Sequence, residues 1–154
     1  PGCENTVLIG LQPRGIHLLD RLLSILQSDY GLSNIESGYL DTTFFRDDFR
    51  RTEKIHSASP TQIAMDIEGK SVVLIDDVLY TGRSIRAALT AIDSYGRPSN
   101  IELMTLIDRR FSRHLPIQPD YLGAQIDALE GDKVRVKWED TPENSLVYLE
   151  NKDA

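Results

Sequence analysis

Ser71-Val-Val-Leu-Ile-Asp-Asp-Val-Leu-Tyr-Thr-Gly-Arg-Ser84 is the stretch on which the reading of this chain turns. Val72 to Ile75 is an apolar run too short for a helix, and it reads as a strand buried on both faces. Asp76 and Asp77 follow at its end, then the turn Thr81-Gly82-Arg83-Ser84. Behind the turn, Ile85, Ala88, Leu89, Ile92 and Tyr95 keep the spacing of one helix face. Strand, acidic edge, hydroxyl-and-glycine turn and helix N-terminus therefore succeed one another without a gap.

A phosphorylated sugar would use each part. A helix N-terminus offers unpaired N–H groups and partial positive charge, which suit a phosphate monoester. Gly82 lets backbone approach closely, and Thr81 and Ser84 can donate hydroxyl hydrogen bonds. The aspartates would repel a phosphate; they suit sugar hydroxyls, a metal ion, or positive charge developing on a reacting carbon. Either half alone reads as an ordinary strand end or a capped turn. Joined behind an uninterrupted apolar strand, they point to a ligand site. The spacing fits neither the Gly-x-x-x-x-Gly-Lys-Ser/Thr phosphate loop nor the Gly-x-Gly-x-x-Gly dinucleotide turn.

Residues Val73 to Ser84 resemble the phosphoribosyl-diphosphate signature of type I phosphoribosyltransferases. Val78-Leu-Tyr-Thr-Gly-Arg83 is most similar to the branch in which a pyrimidine-operon attenuation regulator is also a uracil phosphoribosyltransferase. The resemblance runs from about Val7 to Glu150. It implies an α/β fold with a mainly parallel central sheet flanked by helices and a small C-terminal hood. It also implies a single domain over 1–154, with an active-site loop at about 46–70 and the hood at about 115–150.

The whole chain is compatible with that. Its 154 residues suffice for one domain, with 40% hydrophobic and 27% charged residues. No apolar run approaches bilayer length and no signal peptide is visible. The single Cys3 cannot form an internal disulfide, which fits a cytoplasmic protein, and His17, His56 and His114 are too scattered for a zinc cluster. A net charge of −7 repels polyanions, so RNA binding would need a local basic patch.

Thr6 to Leu11 reads as a first buried strand, and Gln12-Pro13-Arg14-Gly15 as a turn. The helix after it carries Ile16, Leu19, Leu22, Leu23 and Leu26 on one face. Arg14 and the helix N-terminus make a second candidate anion site; a solvated turn arginine is the plainer alternative. The resemblance implies a pyrophosphate loop here, at Pro13, Arg14 and Gly15, and a cis Gln12–Pro13 bond would be inexpensive. Relatives usually carry a further helix before this strand, so the chain reads as trimmed or partly ordered at its start.

Ile35 to Phe45 reads as a strand running into Arg46-Asp-Asp-Phe-Arg-Arg51, followed by a long polar loop to residue 70. The resemblance makes this a lid, with Arg46 as a catalytic residue reaching the pyrophosphate and Arg50 or Arg51 beside it. Gly96 and Pro98 stop the central helix, and Ile101 to Ile107 is another apolar strand ending in Asp108-Arg109-Arg110. Three strands thus deliver polar loops to one sheet edge, where open α/β sheets bind ligands. Leu115 to Gly123 reads as Pro-rich and irregular, Lys133 to Trp138 as a half-exposed strand, and Leu146 to Leu149 as a short final one.

The resemblance then implies roles. Asp76 and Asp77 would be catalytic, holding the ribose hydroxyls and stabilising positive charge on the sugar. Val78, Leu79, Tyr80, Thr81, Gly82, Arg83 and Ser84 would cradle 5-phosphoribosyl 1-diphosphate, with Asp108 and Arg109 near base and pyrophosphate. Mg2+ would be held mainly through substrate, with Asp76 and Glu139 as candidate protein ligands. The implied reaction converts uracil to UMP; the implied state is a homodimer or higher homo-oligomer. Two alternatives stay open: a transferase for hypoxanthine or orotate, and an RNA-binding attenuation regulator. The acidic charge disfavours the second, although Arg110, Arg113 and His114 would serve it.

Overall fold

The computed structural model describes residues 3–43 and 66–151. Their order is β1 (Thr6–Leu11), α1 (Gly15–Tyr30), β2 (Glu36–Leu40), β3 (Ser71–Leu79), α2 (Arg83–Ile92), β4 (Asn100–Arg110), β5 (Tyr121–Asp127), β6 (Lys133–Lys137) and β7 (Leu146–Glu150). Five strands form one sheet in the order β2-β1-β3-β4-β5, and every neighbouring pair is parallel. β6 and β7 form a separate antiparallel hairpin.

Parallel strands need crossovers, and the crossovers cover both faces of the sheet. The two-residue period of a strand sends Val7, Ile9 and Leu11 with Val72, Leu74 and Leu103 to the face where α2 buries Ile85, Ala88, Ala91 and Ile92. Leu8, Val73 and Ile75 point the other way, against Leu19 of α1 and its flanking leucines. Leu19 is fully buried, and such a side chain contributes about 2 kcal/mol through burial. α1 ends at Gly31, in the left-handed region at φ 66°, whose N–H reaches the Gln27 carbonyl while Leu32 N–H reaches that of Leu26.

The α/β class and the parallel sheet are as expected, and several bounds differ. β3 does not end at Ile75; pairing with β4 continues to Leu79↔Asp108, so Asp76 and Asp77 lie within the strand. α2 stops at Ile92, and Tyr95 closes a turn outside it by donating its N–H to the Ile92 carbonyl. β2 spans only Glu36–Leu40. Residues 121–127, read in part as irregular, are the outer strand of the main sheet, so the separate hairpin starts only at Lys133. The Gln12–Pro13 bond is cis. Of the expected lid, residues 46–65 fall outside the described ones, and Ile67 is fully buried in the core.

Candidate functional site

β1, β3 and β4 run parallel, so their C-terminal ends share one edge of the sheet. β1 pairs with β3 only as far as Gly10↔Ile75, whereas β4 accompanies β3 to Leu79. Past Ile75, β3 therefore has a neighbour on one side only, and the first turn of α1 occupies the other. Gly15 is the fitted piece: a Cβ there would lie 2.2 Å from the Ile75 carbonyl oxygen.

The two aspartates have different surroundings. Asp76 lines a cavity of about 260 Å³, together with residues 78–85. Burial pushes its carboxyl up to about 7, and the charge of Asp77 adds to the rise. Asp77 is 5% exposed and does not line that cavity. Its Oδ2 accepts Arg14 Nε–H at 2.8 Å, and its Oδ1 accepts the Val78 N–H at 2.8 Å. Arg14 also donates from Nη2 to the Val136 carbonyl on β6.

The turn between β3 and α2 forms the other wall. Gly82 takes φ 92°, which only glycine adopts cheaply, and it precedes a helix with no side-chain cap and no acid in its first turn. Those N–H groups thus keep donor capacity for an anion, Arg83 N–H making one 3.3 Å contact with Thr81 Oγ1. The chain after β4 braces the turn. His114 N–H donates to the Thr81 carbonyl at 2.9 Å, and Arg113 bridges the Tyr80 carbonyl at 2.6 Å and Asp108 at 2.5 Å.

Arg109 is 6% exposed, with its guanidinium carbon 4.1 Å from the centre of the Tyr80 ring. Its Nε has no hydrogen-bond partner among the described residues. A buried N–H lacking an acceptor is costly, and an anion beside it would remove that cost.

The structure thus gathers Pro13, Arg14, Gly15, Asp76, Asp77, the run 78–84, Asp108 and Arg109 at one edge, while Arg46 lies outside the described residues. Glu139 stands elsewhere, in a groove between α1 and the hairpin, with Lys137 Nζ 2.8 Å from its carboxylate. Among the described residues no three acidic, histidine or cysteine side chains gather as a metal cage. One carboxylate facing a cavity fits a magnesium ion that keeps waters and substrate oxygens as its other ligands, and a dication would favour the charged form of Asp76. Sequence reasoning missed Arg113 as a strut and the Val136 carbonyl as a partner of Arg14. The first was legible as a nearby cation; a backbone carbonyl carries no signal.

Residues 2–139 match the phosphoribosyl transferase domain family. Two similar proteins, both called Bifunctional protein PyrR, come from Deinococcus radiodurans and a Picosynechococcus species. The first is 40% identical over 148 residues, 96% of this chain and 80% of that protein; the second is 41% identical over 142 residues, 92% and 78%. Among solved structures, a Staphylococcus aureus hypoxanthine phosphoribosyltransferase aligns with TM-score 0.57 at 20% identity. The alignment covers 79% of this chain and 62% of that one. The Trypanosoma cruzi hypoxanthine phosphoribosyl transferase gives 0.62 at 19%, covering 83% and 63%. The chain thus spans less than two thirds of both solved proteins, with which it shares a fold.

Proposed function

Because the chain belongs to the phosphoribosyl transferase domain family, we propose that it transfers the ribose 5-phosphate unit of 5-phosphoribosyl 1-diphosphate to uracil, releasing UMP and diphosphate. The observation that carries this is the cavity lined by Asp76 and by residues 78–85, so that an acid and the N-terminal turn of α2 border one space. The amides at 82–85 hold the 5-phosphate, a remote handle whose binding fixes the reacting carbon. Asp76 takes the sugar hydroxyls and offsets positive charge on the ring as the diphosphate departs. Arg14 and Arg109 hold the leaving group, which gives the Nε of Arg109 an acceptor. Magnesium, when bound, neutralises diphosphate charge as a Lewis acid.

Uracil is preferred on the wording of residues 78–83 and on the names of the relatives, and hypoxanthine and orotate are the alternatives. Purified protein given 5-phosphoribosyl 1-diphosphate, magnesium and each free base in turn should release diphosphate fastest with uracil. Equal release with hypoxanthine, or none with any base, defeats the proposal. A homodimer in the cytoplasm belongs to the same reading and is checked by sedimentation and fractionation.

A second reading, RNA-dependent regulation, has one observation in its favour. Phe111 is 82% exposed, held at φ 67°, with the Arg110 guanidinium carbon 5.1 Å from its ring centre. An exposed aromatic beside a cation suits a single-stranded base. Against it, Arg110 is chelated by Asp127 at 2.6 and 2.9 Å, and Arg113 by Asp108. Salt-sensitive retardation of an upstream leader RNA would establish it; no retardation at low salt removes it.

A further inference from the structure

Three side chains at the start of α1, Arg14, His17 and Arg21, are spaced to share one stripe, and all three meet the hairpin. Arg14 donates to the Val136 carbonyl, and the His17 ring stacks on Trp138 with centroids 5.8 Å apart. Arg21 donates to the Glu139 carbonyl and, at 3.2 Å, to Ser145 Oγ. Val136 is the most deeply buried residue of the hairpin. Arg14 is thus the point where hairpin, helix and β3 join, because its Nε is committed to Asp77.

Both oxygens of Asp77 are already engaged within the protein. One accepts Arg14, the other accepts Val78 N–H, and the side chain is 7% exposed. Asp76 alone of the pair faces the cavity. We propose that Asp77 is a positioning residue that acts on the reaction through Arg14, and that diphosphate bound by Arg14 is relayed to the hairpin through the Val136 carbonyl. This rests on the transferase reading above.

A guanidinium donates through five N–H groups in a fixed fork. Diphosphate oxygens are charged acceptors and displace a neutral carbonyl such as that of Val136. The Nε–Asp77 bond keeps the fork aimed while Nη2 changes partner. The hairpin then loses one of its three ties to α1, so it is held differently with and without the leaving group.

The chain contains one tryptophan, two residues past Val136, so its emission reports the hairpin directly. Inorganic diphosphate with magnesium, titrated into the full chain, should change Trp138 emission saturably, at the concentration where calorimetry finds binding. Arg14→Ala should abolish the change. In steady-state assays Asp77→Asn should raise KM for 5-phosphoribosyl 1-diphosphate about tenfold, and less than about twofold in the Arg14→Ala background. Additive losses would place Asp77 on the substrate itself and overturn the positioning role. Diphosphate binding that leaves Trp138 emission unchanged overturns the relay and spares the transferase reading. Absence of any diphosphate binding overturns both.

Discussion

β1–α1 and β3–α2 are each a parallel strand that turns into a helix, and they part company at the last residues of the strand. β1 stops at Leu11 and breaks at the cis Gln12–Pro13 bond before delivering a cation, Arg14. β3 runs on to Leu79 and delivers two carboxylates from within the strand. The difference arises from neighbours. β4 carries the hydrogen bonding of β3 four positions past the point where β1 leaves it. The vacated side is where Arg14 meets Asp77 and where Gly15 touches Ile75. One strand ending early is thus what lets opposite charges from the two units meet.

The contrast breaks most visibly at Asp76. Asp76→Asn keeps the shape and removes the charge that the sugar would need, so kcat/KM for diphosphate release should fall on the order of 10³-fold. Its melting temperature at pH 8 should nevertheless rise, because the raised carboxyl pKa marks an ionised form that folding disfavours. Undiminished turnover would return the reacting role to Asp77.

Gly15→Ala tests the close approach of the two units. A methyl 2.2 Å from a backbone oxygen cannot be relieved by a side-chain rotation, so urea unfolding should show a loss of about 3 kcal/mol. A neutral result would mean that α1 can slide away from β3.

pH sharpens the comparison further. The Asp76 carboxyl rises from 3.8 to about 7 on folding, so between these values the unfolded chain is ionised while the folded one stays protonated. Stability contributed by this group should therefore decline as pH climbs from about 4 to about 7 and then level off. Below about pH 7, kcat/KM should drop about tenfold per unit, and Asp76→Asn should erase both dependences.

Gly82→Ala should have the smallest effect of the series. Its φ of 92° costs an L-residue about 1–2 kcal/mol, while the nearest atom to an added methyl is Ile117 Cδ1 at 3.3 Å, the movable end of a side chain. A loss as large as that at Gly15 would mean the two turns are equally rigid.

Much of this architecture was legible because buried parallel strands are apolar runs and their crossover helices are amphipathic. Val72–Ile75 and Ile101–Ile107 announced themselves for that reason. β5 did not. As an outer strand it leaves Tyr121 to Gln125 exposed, so no apolar run or alternation marks it, and Pro116 and Pro119 before it suggested a loop. The continuation of β3 past Ile75 was hidden because charge normally ends a buried strand. Only the register with β4 carries it further. The motif at 76–84 identified where ligand chemistry would gather, but not which aspartate faces the cavity. The pleat makes that choice: Asp76 follows Val72 and Leu74 to the α2 face, and Asp77 follows Val73 and Ile75 to the α1 face, where it meets Arg14, 63 positions away. Which helix covers which face is not written in the motif.

The uniformly parallel pairing also constrains how the chain reaches its native state. No two adjacent strands of the five-stranded sheet can zip from a tight turn; each pairing must wait until a helix or a long connection has brought distant segments together. Only β6 and β7 can associate through a short local loop. Refolding from denaturant should accordingly be limited by the encounter of β1 with β3, so dilute conditions should favour recovery over aggregation.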